Sequence, residues 1–278
     1  MISHARAVGW AFLLSLISAA VASFIWGGLI VANARSSASV PWSVPVMALV
    51  LIAYWLYLGG RGWPRSTQAA RAALLRGRLV PLRTFGLAWL AGALSLAALA
   101  GLWMVLEQLT GKGGNPTESQ LSGYPTLFVA LVIGMGSLVS PVSEEASYRG
   151  YAQVLLERRY PPLVAVGISS AFFAFFHGPT QGFFWSKLLF FLLVGAVFGT
   201  IAFLTDSTLP ALPVHIAGDL LFFIFIWPQD AHRRLVLQSG PDAGFWLAVA
   251  LLIVFTPLAL LAFRTLSQTR RQTRPQPA

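Results

Sequence analysis

Eight apolar runs, each close to the length that crosses a bilayer, constrain this chain more than any other feature. They lie at roughly 8–32, 41–60, 84–107, 124–142, 162–178, 184–204, 210–227 and 243–264. About 20 residues of helix span the hydrocarbon core. In lipid each backbone polar group has to be satisfied internally, which leaves helices or a closed barrel. A barrel would show period-two alternation with frequent turns, and none is visible. The expected fold class is therefore all-α: a polytopic transmembrane helical bundle of about eight spans. Composition agrees, because only 10% of the residues are charged, against about 25% in soluble domains. A net charge of +10 would point to nucleic acid in a soluble protein. Here the basic residues sit in loops and tails, where they set topology and meet anionic lipid. Membrane lipid is thus an expected partner and nucleic acid is not. The absence of cysteine excludes disulfides and thiolate chemistry. The first apolar run is too long for a cleavable signal, so none is expected.

The segment 61–83 is basic and broken by Pro64 and Pro81. Its part near Gln68–Leu79 suits a short amphipathic surface helix. By the positive-inside rule this loop is cytoplasmic. Eight spans then place both termini in the cytoplasm, with fourteen of the nineteen Lys and Arg residues on that side. The strong preference for Arg over Lys hints at a bacterial source. Thr110–Tyr124 is rich in Gly, Ser and Thr and reads as an exposed connection. Residues 267–278 read as a disordered basic tail. The chain divides on this reading into N-terminal transmembrane helices (1–123), a central core (124–228), a last transmembrane helix (229–266) and the tail. No internal repeat is visible, which weakens an inverted-repeat transporter reading. Gly195-x-x-x-Gly199 reads as close packing within the chain.

Three polar pieces interrupt the apolar runs. Pro141-Val-Ser-Glu-Glu-Ala-Ser-Tyr-Arg-Gly150 holds Glu144, Glu145 and Arg149; the others are Phe173-x-x-x-His177 and His215-x-x-x-Asp219. Ionisable groups at membrane depth are costly and mark functional sites by default. Pro141 is expected to end or kink the preceding helix, with Ser143 capping a new one. Alone, the glutamates are also explained by a helix start with a Glu145–Arg149 pair at i,i+4. His177 alone reads as a satisfied core histidine, with Phe173 packing beside it. His215 and Asp219 share a helix face. Positions 144 and 177 are nearly symmetric about the turn at Tyr160-Pro161-Pro162, so an antiparallel helix pair would bring them to one depth. His215 follows the turn near Asp206–Pro210 closely, which gives it a similar depth in the cytoplasmic half. The four sites are therefore expected to share one cavity. There one glutamate would act as a general base on water, and Arg149 would hold the other.

Glu-Glu-x-x-x-Arg, Phe-x-x-x-His and His-x-x-x-Asp, in this order in successive apolar segments, resemble the CPBP family of intramembrane proteases. That family is related to the CAAX prenyl endopeptidases and to bacteriocin-processing and immunity proteins. Tyr148-Arg149-Gly150, Ser169-Ser170 and Thr205-x-Ser207-x-Leu209-Pro210 agree, and the resemblance covers roughly residues 124–228. It implies an intramembrane endopeptidase acting on a membrane-associated peptide or protein, including lipidated ones. Glu144 then resembles the base that activates water, and His177 helps to bind that water. His215 resembles the group that stabilises the oxyanion, and Asp219 fills the adjacent Asn/Asp position. Glu145 and Arg149 resemble the supporting pair. An ionised Asp cannot donate to an oxyanion, so Asp219 is protonated, orients His215 or binds metal. Glu144, His177, His215 and Asp219 would also suit Zn2+ with one position open for water. Catalysis without a cofactor is favoured, because no His-Glu-x-x-His spacing presents a preformed zinc site. The competing readings are a non-catalytic immunity or scaffold protein that keeps the family core, and a proton-coupled transporter.

Overall fold

The computed structural model describes residues 4–113, 123–230 and 232–273. Among these residues all regular structure is helical, and each of the eight apolar runs is a helix. Seven helical segments are long and apolar enough to cross a membrane, which makes this a multi-pass membrane protein. The eighth, α2 (Ser43–Leu58), has 16 residues and so a length of about 24 Å, short of a full hydrocarbon core. Its ends are fixed by Pro41 and by Gly59-Gly60. Gly60 has φ +92, and a Cβ there would come within 2.5 Å of Gln68 O, so only glycine fits that turn.

The chain divides into two compact units, Met1–Gly77 with Pro116–Ser169, and Arg78–Asn115 with Ser170–Ala278. The first contains α1 (His4–Ser37), α2, the short α3 (Gln68–Leu75) and α5 (Thr126–Glu144). Ala22, Trp26, Met47, Phe128, Val132, Met135 and Val139 form its core between α1, α2 and α5. Tyr54 Oη adds a hydrogen bond to Ser18 O at 2.8 Å. α3 is the expected amphipathic helix. Arg71 stacks 4.2 Å over the Tyr57 ring and donates to Arg61 O and Thr67 Oγ1. Its guanidinium thus closes the basic loop on itself.

α5 departs from the sequence expectation. Pro141 neither ends it nor yields to a helix capped by Ser143. The helix runs through Pro141 to Glu144 and widens into a π-helical segment, Glu145–Ala152, before α6 (Gln153–Glu157). Ser143 Oγ donates back to Ser140 O (3.0 Å), and Ser147 Oγ to Ser143 O (2.5 Å). Proline removes one helical donor and crowds the preceding turn. Transmembrane helices tolerate such a residue because neighbouring groups and local helix adjustments can satisfy the freed backbone. A cap would have exposed several N–H groups where water is scarce.

The second unit contains α4 (Leu82–Thr110), α8 (Trp185–Thr205), α9 (Ala211–Leu221) with its π extension Phe222–Ile226, α10 (Trp227–Asp230), α11 (Val236–Ser239) and α12 (Ala243–Thr273). The boundary between the units falls within α7 (Pro162–Gln181). Glycines let the helices of this unit approach. A Cβ at Gly101 would lie 2.5 Å from Ala248 O, and one at Gly195 would lie 2.9 Å from Ser170 Cα. α12 passes Ser267, so residues 267–273 are helical and not a disordered tail. Leu266 is buried, and the Arg270 guanidinium lies 3.7 Å over Phe203. No proline intervenes before Pro275, so packing on the unit carries the helix onward. The expected exposed connection Thr110–Tyr124 and the last residues of the tail lie largely outside the described residues.

Candidate active site

The first unit holds the acidic motif. Glu145 and Arg149 sit one turn apart on the π segment, 0% and 1% exposed, with Arg149 Nη1 3.5 Å from Glu145 Oε1. Every residue from Glu145 to Ala152 is buried. The segment is locked from several sides. Ser169 Oγ donates to Tyr148 O (2.7 Å) and Tyr151 Oη to Leu58 O (3.0 Å). Gly150 faces α3, where a Cβ would lie 3.0 Å from Leu74 O and 3.1 Å from Leu75 O. Below it, Glu157 accepts from Gln153 Nε2 (2.8 Å) and pairs with Arg76. Glu144 differs from its neighbour. It is half-buried, and Ser140 Oγ donates to its Oε1 at 2.9 Å. The paired glutamate is sealed in protein; the other is half-buried as a residue, although its Oε2 is itself buried.

The second unit holds both histidines. The turn before α9 positions His215. Asp206 adopts a left-handed conformation (φ 50) and pairs with Arg78 at 2.6 Å. Ser207 Oγ donates to Arg78 O (2.5 Å) and accepts from Leu209 N (3.1 Å). This fixes where α9 starts, and His215 then points inward from its second turn. The imidazole is buried and stacks on Phe198 with ring centroids 4.4 Å apart. Asp219 Oδ1 is 3.7 Å from His215 Nε2, farther than a hydrogen bond.

His177 is half-buried near the end of α7 and stacks on Phe191 at 3.9 Å. Its Nδ1 lies 2.8 Å from Phe173 O. A carbonyl only accepts, so Nδ1 carries a proton, and in the neutral ring Nε2 is the accepting nitrogen. Phe173 is more than a packing residue. Only 1% exposed, its ring lies 4.5 Å from that of His177 and 6.2 Å from that of His215. The two imidazoles are therefore brought together against one phenylalanine.

Sequence reasoning passed over Ser140, Phe191 and Phe198. Ser140 was detectable as a hydroxyl one turn before Glu144. The stacking partners carried no signal, because phenylalanine is common throughout the apolar runs. Among the described residues, no group of three His, Asp or Glu side chains is set up within one unit to hold a metal ion.

Residues 125–221 match the model of the Rce1-like family, type II CAAX prenyl endopeptidase Rce1-like. The matched segment contains Glu144, Glu145, Arg149, His177, His215 and Asp219. No curated protein matches the chain, and no solved structure matches it. Across residues 125–221, through the acidic π segment and both histidine helices, the chain is similar to the type II CAAX prenyl endopeptidase Rce1-like family, which supports a resemblance to the CPBP intramembrane proteases.

Proposed function

We propose that this protein is an endopeptidase that hydrolyses peptide bonds of a membrane-associated peptide or protein with water activated by Glu144. The observation that carries the reading is the contrast between the two glutamates. Glu145 is sealed against Arg149, whereas Glu144 is half-buried and oriented by Ser140. In the proposed reaction Glu144 takes a proton from water held with the help of His177 Nε2. The hydroxide adds to the peptide carbonyl carbon, and His215 donates to the resulting oxyanion. The proton on Glu144 passes to the leaving amine as the C–N bond breaks. Asp219, at 3.7 Å from His215 Nε2, orients that imidazole and balances its charge. The reading requires Glu144 to meet the histidines of the other unit in one cavity.

The donor set of Glu144, His177, His215 and Asp219 would also suit zinc, which would supply an activated water. A cleavage assay with purified protein separates these readings from each other and from a non-catalytic role. Wild type should cut a membrane-associated peptide, Glu144→Ala should not, and chelation should leave the wild type active. Inactivation by chelation, restored by zinc, would assign the metal chemistry instead. An inactive wild type, tested across lipidated and unlipidated substrates, would support the scaffold reading.

A further inference from the structure

We infer that the first unit carries a binding site for one anionic phospholipid, separate from the acidic motif and independent of the proposed peptidase reaction. A cavity of about 300 Å³ is lined by Ala7, Trp10 and Leu14 of α1 and by Leu155, Arg158 and Arg159 at the end of α6. That volume lies at the lower end of the roughly 300–1,000 Å³ typical of small-molecule sites. Ala7, Trp10 and Leu14 follow one another at i, i+3 and i+7, so they form one helix face. The face extends for about 10 Å and presents only apolar surface. Buried Ala7 forms a floor where a larger side chain would fill the space, while Trp10 is 52% exposed.

The polar end of the cavity is strongly basic. Arg158 and Arg159 are both exposed, and among the described residues neither is in an ion pair. The adjacent carboxylate, Glu157, is engaged by Arg76 and Gln153. Two uncompensated guanidinium groups thus stand over an apolar cleft. Guanidinium forks match phosphate geometry. Basic pockets between membrane helices are where anionic headgroups bind, and tryptophan suits the boundary between headgroup and chain. The complementary ligand has a phosphate at one end and an acyl chain at the other. A peptide would leave the chain-lined cleft poorly filled.

Intrinsic fluorescence tests this in the full-length protein. The protein is reconstituted in phosphatidylcholine vesicles that contain increasing brominated phosphatidylglycerol or, separately, brominated phosphatidylcholine. The Trp10 signal is the difference between wild type and Trp10→Phe. Half-maximal quenching of that signal should need about tenfold less of the anionic lipid than of the zwitterionic one. In R158Q/R159Q, whose altered side chains are exposed and leave the fold intact, the advantage should fall below about twofold. Excess soluble glycerol phosphate should not relieve the quenching. Equal quenching by both lipids, an unchanged preference in R158Q/R159Q, or full displacement by glycerol phosphate would each overturn the assignment.

Discussion

Two adjacent glutamates in one motif have different surroundings, and their substitutions should separate accordingly. Glu144→Gln keeps the side-chain shape and can still accept from Ser140, but the amide cannot take a proton from water. Cleavage should fall by about 10²–10⁴, with the thermal unfolding midpoint unchanged. Arg149→Ala should lower both activity and stability. Its loss leaves the fully buried Glu145 without its ion-pair partner, and breaking a buried pair costs about 3–5 kcal/mol. Parallel activity and melting measurements check this. Near-normal turnover in Glu144→Gln would remove that residue from the role of base. The imidazoles pose a different problem, since each needs one tautomer and one orientation. Phe191 and Phe198 stack beneath them, and Phe173 O selects the tautomer of His177. Apolar rings therefore do much of the positioning.

The π segment and the helices of the second unit depend on close backbone approach and on buried charge. Gly150→Ala should destabilise the protein by about 1–3 kcal/mol, because the new methyl meets the Leu74 and Leu75 carbonyls at 3.0 and 3.1 Å. Those are backbone atoms of α3 and cannot swing aside. In the second unit Asp230 accepts from Trp103 Nε1 at 2.9 Å and pairs with Arg233 at 2.9 Å. Trp103 in turn packs on Phe190, Phe222 and Trp227. Asp230→Ala leaves the indole donor and the guanidinium without this acceptor. Because Glu107 remains 3.9 Å from Arg233, a loss of about 1–3 kcal/mol, the cost of a buried donor left unsatisfied, is expected in denaturant unfolding. The aromatic cluster continues from Phe190 to Phe191, the ring beneath His177, so the same substitution should also lower activity.

For the molecule as a whole, the basic asymmetry predicts that the loop around Arg65 is cytoplasmic and the segment around Ser239 is outside. The naturally cysteine-free chain makes the test direct. Arg65→Cys should be protected from an impermeant thiol reagent in intact cells, and Ser239→Cys should react. The reverse pattern would invert the topology. The proposed reaction also requires Glu144 to approach His177. A thiol cross-linker with a reach of about 10 Å should join the two cysteines of E144C/H177C in the membrane, and persistent failure to do so would separate the two motifs.

The apolar runs by themselves determined the helical class, because a backbone in lipid has no hydrogen-bonding partner outside its own helix. The ordered polar motifs likewise marked Glu144, His177 and His215, because charge and imidazole are conspicuous where nearly every neighbour is apolar. What followed Pro141 was not legible. Sequence rules anticipate a break and a cap, whereas the structure carries the helix through Pro141 to Glu144 and follows it with a π segment. The π segment that follows is packed against α3 at Gly150, a contact between residues distant in sequence. The helical continuation past Ser267 depends in the same way on Phe203, distant in sequence but lying under Arg270. The unequal burial of Glu144 and Glu145 was also a tertiary result. Two identical side chains at adjacent positions point in different directions around a helix, and only the packing of the surrounding helices decides which of them is sealed.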